Sequence, residues 1–151
     1  MKKKYLLLMI ITVILFFGCS KSNVKINSST WAFHGTTYTA VNIDYYANTG
    51  IALLGGTDAK GNYINIFFNT QPVTNGIFNV TDGKLGSGYS SSNCSVIVGN
   101  NNSSYQYTST GKPGETVSLT FNSGKMQASF NNITIADAHD TTIVTGVVTQ
   151  N

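Results

Sequence analysis

From Thr30 onward, the side chains that favour burial recur at every second position and never at helical spacing. The alternating positions are Thr39, Val41, Ile43 and Tyr45, then Ile64, Ile66 and Phe68, then Val117, Leu119 and Phe121, and then Met126, Ala128 and Phe130. Alternation enriched in β-branched and aromatic residues is typical of strands with one buried face. The pattern therefore predicts an all-β domain with no helix after Cys19.

Short turn segments separate these strands. Asp58–Gly61, Asn122–Lys125 and Asp137–Asp140 combine Asp, Asn and Gly, which suit tight turns between paired strands. Such close spacing leaves no room for crossover helices and predicts antiparallel connections. The alternation slips across Asn131–Asn132, which predicts a β-bulge there. We expect about nine to ten strands in an antiparallel β-sandwich or a partly open β-barrel.

The middle of the chain contains the most irregular segment. Short strands are predicted at Gly76–Val80, Val96–Val98 and Tyr105–Thr108, and the polar, Gly-rich stretch Thr81–Asn93 lies between the first two. A loop of this length in a compact domain is either mobile or functional. Tyr89 within it pairs a broad apolar ring with a polar tip, so we predict Tyr89 as the residue that contacts a ligand.

The first residues have the layout of a secretory signal peptide. Lys2, Lys3 and Lys4 precede an apolar run from Tyr5 to Phe17, and Gly18 stands before Cys19. A permanent membrane-spanning helix needs about 20 apolar residues, and this run is shorter. We therefore expect residues 1–18 to be removed.

The end of this segment, Leu15 to Cys19, resembles the lipobox of bacterial lipoproteins, although Phe16 and Phe17 are bulkier than is usual. The resemblance implies cleavage before Cys19 and lipidation of its thiol, and two or more acyl chains anchor a protein firmly. Residues 19–29 would then be the acylated cysteine and a polar tether, and residues 30–151 a single domain. Ser20 is similar to the residue of outer-membrane-sorted lipoproteins, and we expect the protein to face the periplasm rather than the cell surface.

The charge of the chain argues against a nucleic-acid partner. Three of the nine lysines leave with the signal peptide, so six lysines remain against six acidic residues, and there is no arginine. Proteins that bind nucleic acid rely on clustered Lys and Arg over the phosphates. We predict no nucleic-acid partner.

Few residues suggest catalysis, metal binding or redox activity. Cys94 is the only thiol left after lipidation, and its position at the start of a strand favours a buried side chain over a redox or metal thiolate. Asp137, His139 and Asp140 could hold a divalent ion, but a solvated turn explains the same residues. No Gly-x-Ser-x-Gly motif is present. We predict no cofactor, no metal and no enzymatic activity.

The domain resembles small uncharacterised all-β lipoproteins of Bacteroidota-type Gram-negative bacteria. The resemblance is carried by Trp31–Tyr38, Gly55–Gly61, Gly76–Val80, and Ser123–Ile135 with its partner Thr142–Val148. The resemblance implies an all-β fold and an envelope location, but it identifies no functional residues.

Three functions are compatible with these features. The first is a non-enzymatic envelope lipoprotein whose domain binds a glycan, a small molecule or a protein through Thr81–Asn93 and Tyr89. The alternative is a lipocalin-like barrel that carries a small apolar molecule in its lumen. The third is an enzyme, which would need His34 or His139 within hydrogen-bond reach of a carboxylate inside a cleft.

Overall fold

A computed structural model describes residues 28–48, 50–103 and 105–151. The predicted signal peptide 1–18, Cys19 and the tether up to residue 27 lie outside these described residues. The described chain contains strands and turns, and none of its elements is a helix long and apolar enough to cross a membrane. The strands are β1 Thr30–Phe33, β2 Thr36–Thr39, β3 Asn42–Asn48, β4 Ile51–Thr57, β5 Asn62–Phe68, β6 Gly76–Val80, β7 Asn93–Asn100, β8 Gln106–Ser109, β9 Thr116–Asn122, β10 Lys125–Ala136 and β11 Thr141–Thr149.

The predicted tight turns are confirmed. In the β4–β5 turn the Gly61 amide donates to the Asp58 carbonyl at 3.2 Å, and Gly61 has a positive φ of 82°. In the β9–β10 turn Ser123 and Gly124 have φ values of 52° and 79°, the left-handed pair that matches the twist of a two-residue hairpin. The third turn joins β10 to β11 at Asp137–Asp140.

All eleven strands belong to one sheet, ordered β2-β1-β11-β10-β9-β6-β7-β5-β4-β3, with β8 paired to both β10 and β7. The pairings among β6, β9, β10, β8 and β7 form a partial ring, but the sheet as a whole ends in β2 and β3 and is not a closed barrel. The expectation of nine to ten strands was slightly low, because the short β1 and β2 form a hairpin of their own about His34-Gly35.

The expectation of a wholly antiparallel sheet was wrong at one place. β6 pairs with β7 in the parallel direction at Asn79↔Asn93 and Val80↔Cys94. Parallel neighbours need a connection of about a dozen residues or more, and the long segment between β6 and β7 supplies it. The Gly-rich loop therefore brings the chain back for a parallel pairing.

The connection from β2 to β3 is a corner at Ala40–Val41. The Ala40 amide donates to Ser29 at 2.9 Å, on the β1 side, and the Val41 amide donates to Thr57 at 2.8 Å, on the β4 side. The alternation changes phase here: Ala40 packs against the core, whereas Val41 is 59% exposed. Ala40–Val41 thus connects β2 and β3, the two strands at opposite ends of the strand order.

The core lies where the sheet folds back on itself, so that β11 faces β4 and β10 faces β7. Its largest fully buried side chains are Trp31, Phe68, Leu54, Ile64, Ile66, Leu119, Met126, Ile133, Ile135, Val96, Val98 and Val117. These side chains come from the inward positions of the alternating strands, as expected.

The predicted bulge at Asn131–Asn132 is confirmed. The β10–β11 register shifts between Phe130 and Ile133, and Asn132 has a φ of 53°. The bulge keeps both Phe130 and Ile133 on the buried face although they are three residues apart.

Candidate functional site

An open groove of about 910 Å³ runs over the outer face of the β2-β1-β11-β10-β9 part of the sheet. Its lining is formed by Thr30, Trp31, Ala32, Thr37, Lys112, Pro113, Gly114, Glu115, Thr116, Ser118, Ser129, Phe130, Asn131, Asn132, Thr145, Gly146 and Val147. The groove lining therefore includes residues of β1 and β11, the first and the last strands within the described residues.

The alternation of the strands explains the lining. In β9 and β10, Val117, Leu119, Ala128 and Phe130 are buried, which leaves Ser118 and Ser129 on the outer face. Small hydroxyl side chains project little from a sheet, so they leave space above it. The result is a mostly uncharged surface of hydroxyl, amide and methyl groups.

The segment Lys112-Pro113-Gly114-Glu115 forms one border of the groove. The Glu115 amide donates to the Lys112 carbonyl at 3.2 Å, and Gly114 has a φ of 87°. Proline followed by a glycine with positive φ is the signature of a type II turn. The turn presents Lys112 and Glu115, the only charged residues in the lining.

The Glu115 carboxylate fills a gap in the hydrogen bonding of β10. β9 pairs with β10 up to Phe130, and β8 pairs with it from Ile135, so Thr134 faces neither strand. Glu115 Oε1 accepts the Thr134 amide at 2.9 Å and the Thr134 hydroxyl at 2.6 Å. One carboxylate oxygen thus has a structural role.

The second oxygen, Glu115 Oε2, is buried and has no hydrogen-bond partner among the described residues. A buried polar atom without a partner costs about 1–3 kcal/mol, and more if it is charged. Trp31 Nε1 is also buried without a partner there, but the Trp31 indole stacks on Tyr38 at 5.4 Å on the core side. Both atoms are enclosed by the protein, so neither is exposed to a ligand in the open groove.

A polar network at the bulge forms the other end of the groove. The Asn132 amide donates to the Thr145 hydroxyl at 3.0 Å, and that hydroxyl donates to Asn131 Oδ1 at 3.1 Å. Because Asn131 and Asn132 are both exposed, their remaining donors and acceptors face solvent. The bulge predicted from the sequence therefore places exposed amide groups at this end of the groove.

The predicted contact residue Tyr89 lies elsewhere. Its loop leaves the ends of β6 and β7, and Tyr89 is 36% exposed and outside the groove lining. The loop is held by the buried Asn69, whose Nδ2 donates to the Tyr89 carbonyl at 2.8 Å and whose Oδ1 accepts the Gly86 amide at 2.6 Å. The role of Tyr89 in binding stays a prediction.

His34 has the carboxylate partner that the enzyme hypothesis required. His34 Nε2 lies 3.0 Å from Asp140 Oδ2, and the His34 ring stacks on Phe33 at 4.1 Å and meets Tyr107 edge-on at 5.4 Å. The pair is open to solvent, with side chains 42% and 51% exposed, and it does not line the groove. The arrangement resembles an exposed link between two turns more than a cleft suited to catalysis.

The carboxylates of the β10–β11 turn are occupied by backbone amides. Asp137 Oδ1 accepts the amides of His139 at 2.8 Å and Asp140 at 2.7 Å, and these bonds hold the Asp137 pKa below its ordinary value. Burial and the nearby carboxylates of Asp137 and Asp140 raise the pKa of Tyr107. Within residues 28–48, 50–103 and 105–151, no group of three or more His, Cys, Asp or Glu side chains is arranged to hold a metal ion.

The prediction that Cys94 is a buried side chain is confirmed. Its exposure is 0%, and burial raises the pKa of the thiol to about 12. Its Sγ lies 3.9 Å from the Phe78 carbonyl. Cys94 therefore behaves as a small apolar core residue.

The chain matches no protein-family model, and no curated protein or solved structure matches it. The groove is therefore interpreted from its own chemistry. Sequence patterns did not indicate Glu115, because its role depends on the gap between β8 and β9 along β10. The only local signal is the Lys-Pro-Gly-Glu turn, which does not by itself imply a site.

Proposed function

We propose that the protein is an envelope-anchored lipoprotein whose β-sandwich domain is a non-enzymatic binding module, and that the outer-face groove receives its ligand. The observation that carries the binding role is the open groove of about 910 Å³ on the outer face of the sheet, with its lining of hydroxyl, amide and apolar groups. Ligand sites are concave and combine apolar surface with a few placed polar groups, as this groove does.

The anchoring part of the proposal is based on the sequence. Cys19 after Gly18 resembles the lipidated position of bacterial lipoproteins, and β1 begins at Thr30, eleven residues later. The domain would then be tethered to the outer membrane and face the periplasm.

The described architecture favours binding on the outer surface over transport inside a lumen. A lipocalin-like carrier needs a closed barrel with space inside it. Here the sheet is not closed, and the space between its halves is filled by large side chains such as Trp31, Phe68 and Met126.

A groove-filling variant tests the binding role. Ala32 is exposed in the groove lining, so Ala32→Trp fills the groove without entering the core. Asn42→Trp, at an exposed position of the edge strand β3 and outside the lining, is the matched control. We expect Ala32→Trp alone to abolish capture of envelope components by the purified protein, and equal capture by both variants contradicts the proposal.

Metabolic labelling tests the anchor. Labelled fatty acid fed to expressing cells should enter the wild-type protein and not a Cys19→Ala form. Label that enters the Cys19→Ala protein contradicts acylation at this residue.

A further inference from the structure

The strands β3, β4, β5 and β7 carry large apolar side chains on their outward face as well as on the face that fills the core. Leu54 of β4 and Ile64 and Ile66 of β5 are fully buried inside, yet apolar residues also lie between them in sequence. Strands that are covered on both faces have such near-continuous apolar sequences. We propose that the outward face is the contact surface of a homodimer, in which two copies of the chain pack this face together.

The apolar residues of this face form one contiguous patch, the dimer patch, which consists of Tyr46, Ile51, Leu53, Phe67 and Ile97. Tyr46 lies opposite Leu53 in the strand register, and Leu53 lies opposite Phe67, so neighbouring Cβ atoms are about 5 Å apart. Ile51 is two residues from Leu53 on the same side of β4, and Ile97 is diagonal to Phe67. Tyr46 is 59% exposed and Ile51 is 42% exposed, and the other three are partly exposed.

The charge of these strands fits a surface that becomes covered. Asp44 is the only charged residue in β3, β4, β5 and β7, and it lies on the outermost strand, β3. The centres of protein interfaces are depleted in charged residues and enriched in aromatic ones such as Tyr46 and Phe67. Asp44 therefore belongs to the rim, where a charge can stay in water.

Two glycines keep the face level. A Cβ added at Gly55 would meet the Asn65 side chain, and a Cβ added at Gly99 would meet the Tyr63 ring. Both side chains therefore lie along the sheet over bare backbone. A second sheet can approach a level face of this kind to about 10 Å, the usual distance between packed sheets.

The size of the face matches a small dimer interface. Its strands are seven or eight residues long, which is about 23 Å, and four strands side by side span about 19 Å. The projected area is about 440 Å² per copy, and the accessible area of rounded side chains is larger, so two copies would bury about 1,000 Å². This area is at the lower end for a specific interface, and we expect a dimer that dissociates in the micromolar range.

The composition of the face favours a second copy over other occupants. Segments that lie on a membrane surface commonly carry Lys and Arg beside their apolar side, and these four strands contain neither. A face with almost no charge pattern gives a different protein little basis for specific recognition. A two-fold axis, in contrast, matches the patch with itself. The groove lies on the other part of the sheet, so the dimer does not depend on its role.

Sedimentation-velocity ultracentrifugation of the full-length protein in detergent tests the inference. At about 100 μM, ten times a Kd of about 10 μM, the wild-type protein should sediment mainly as a dimer. Leu53 lies between Tyr46 and Phe67, so Leu53→Lys buries two charges at the centre of the interface and should raise the Kd at least about tenfold. Leu53→Met keeps an apolar side chain of similar volume and should stay dimeric.

Ile77→Lys is the matched control, because Ile77 is 67% exposed in β6 and lies outside the patch. It should sediment as the wild type does. All variants share the same amino terminus, so two proteins in one micelle cannot explain a difference between them. If Leu53→Lys does not fold, Tyr46→Lys at the exposed border of the patch should give the monomer instead.

A wild-type protein that stays monomeric at about 100 μM overturns the inference. Equal dimer fractions for the folded patch variant and Ile77→Lys also overturn it. A monomeric wild type that binds vesicles of phosphatidylethanolamine and phosphatidylglycerol, with binding lost in the patch variant, would assign the face to the membrane surface and refute the dimer.

Discussion

Gly146 in β11 marks a place where the backbones of β1 and β11 approach closely. It lies opposite Trp31 of β1 and Phe130 of β10, and a Cβ added there would lie 2.6 Å from the Thr30 carbonyl oxygen and 2.9 Å from Trp31 Cα. Backbone atoms cannot rotate away as the end of a side chain can. Gly146→Ala must therefore displace β1 from β11.

The expected effect is a net destabilisation of about 1–2 kcal/mol. Overpacking of this kind costs about 1–3 kcal/mol, whereas alanine gains about 0.4–1 kcal/mol over glycine by restricting the unfolded chain. With a urea m-value of about 2 kcal/mol/M, the unfolding midpoint should fall by about 0.5–1 M. Circular dichroism and fluorescence of Trp31, the only tryptophan, report the transition.

Gly76→Ala is the matched control. Gly76 also lies in a strand without a positive φ, but its added Cβ would meet only the Phe78 ring, with Cε2 at 3.5 Å and Cζ at 4.0 Å, which are ordinary contacts. We expect its midpoint to stay at or slightly above that of the wild type. Equal midpoints for Gly146→Ala and Gly76→Ala would refute the close-approach argument.

Three other predictions follow from single contacts. Asn69→Ala should lower the free energy of unfolding by about 1–3 kcal/mol, because it removes the side-chain partner of the Gly86 amide and of the Tyr89 carbonyl. The variant should also be cleaved faster by proteases within residues 81–93, and unchanged cleavage would contradict this prediction. With a pKa of about 12, Cys94 should not react with iodoacetamide at pH 8 until urea unfolds the protein, and full labelling of the folded protein would disprove its burial. Because hydrogen bonds from the His139 and Asp140 amides hold the pKa of Asp137 in the folded protein below its ordinary value, the stabilisation is present above that ordinary value and lost as pH falls through the folded pKa. Asp137→Asn should remove this part of the acid sensitivity in pH-dependent unfolding, and an unchanged profile would refute it.

The sequence predicted the local structure well because that structure depends on neighbouring residues. Alternation in Ile64–Phe68, the turn at Asn122–Lys125 and the bulge at Asn131–Asn132 all follow from side-chain spacing and from residues that tolerate positive φ.

The features that the sequence did not predict depend on distant parts of the chain. The corner at Ala40–Val41 interrupts an alternation that looked continuous in the sequence. It does so because the Ala40 amide donates to the Ser29 carbonyl, next to β1, and the Val41 amide donates to the Thr57 carbonyl of β4. The parallel pairing of β6 with β7 depends on the path of the long loop between them, which brings the start of β7 beside the end of β6. Glu115 accepts the Thr134 amide only because Thr134 lies between the segments of β10 that pair with β9 and with β8. No short sequence motif indicates this arrangement.

The pairing of β1 with β11 also determines when the domain can be completed. Ser29 and Thr149 exchange hydrogen bonds across 120 residues of sequence, and β2 is held to the remaining sheet through β1. During synthesis the hairpin of β1 and β2 has no place to dock until β11 emerges, and contacts this distant in sequence form slowly. Until then β10 presents an unpaired edge, which is where a nascent chain of this kind is most prone to aggregate.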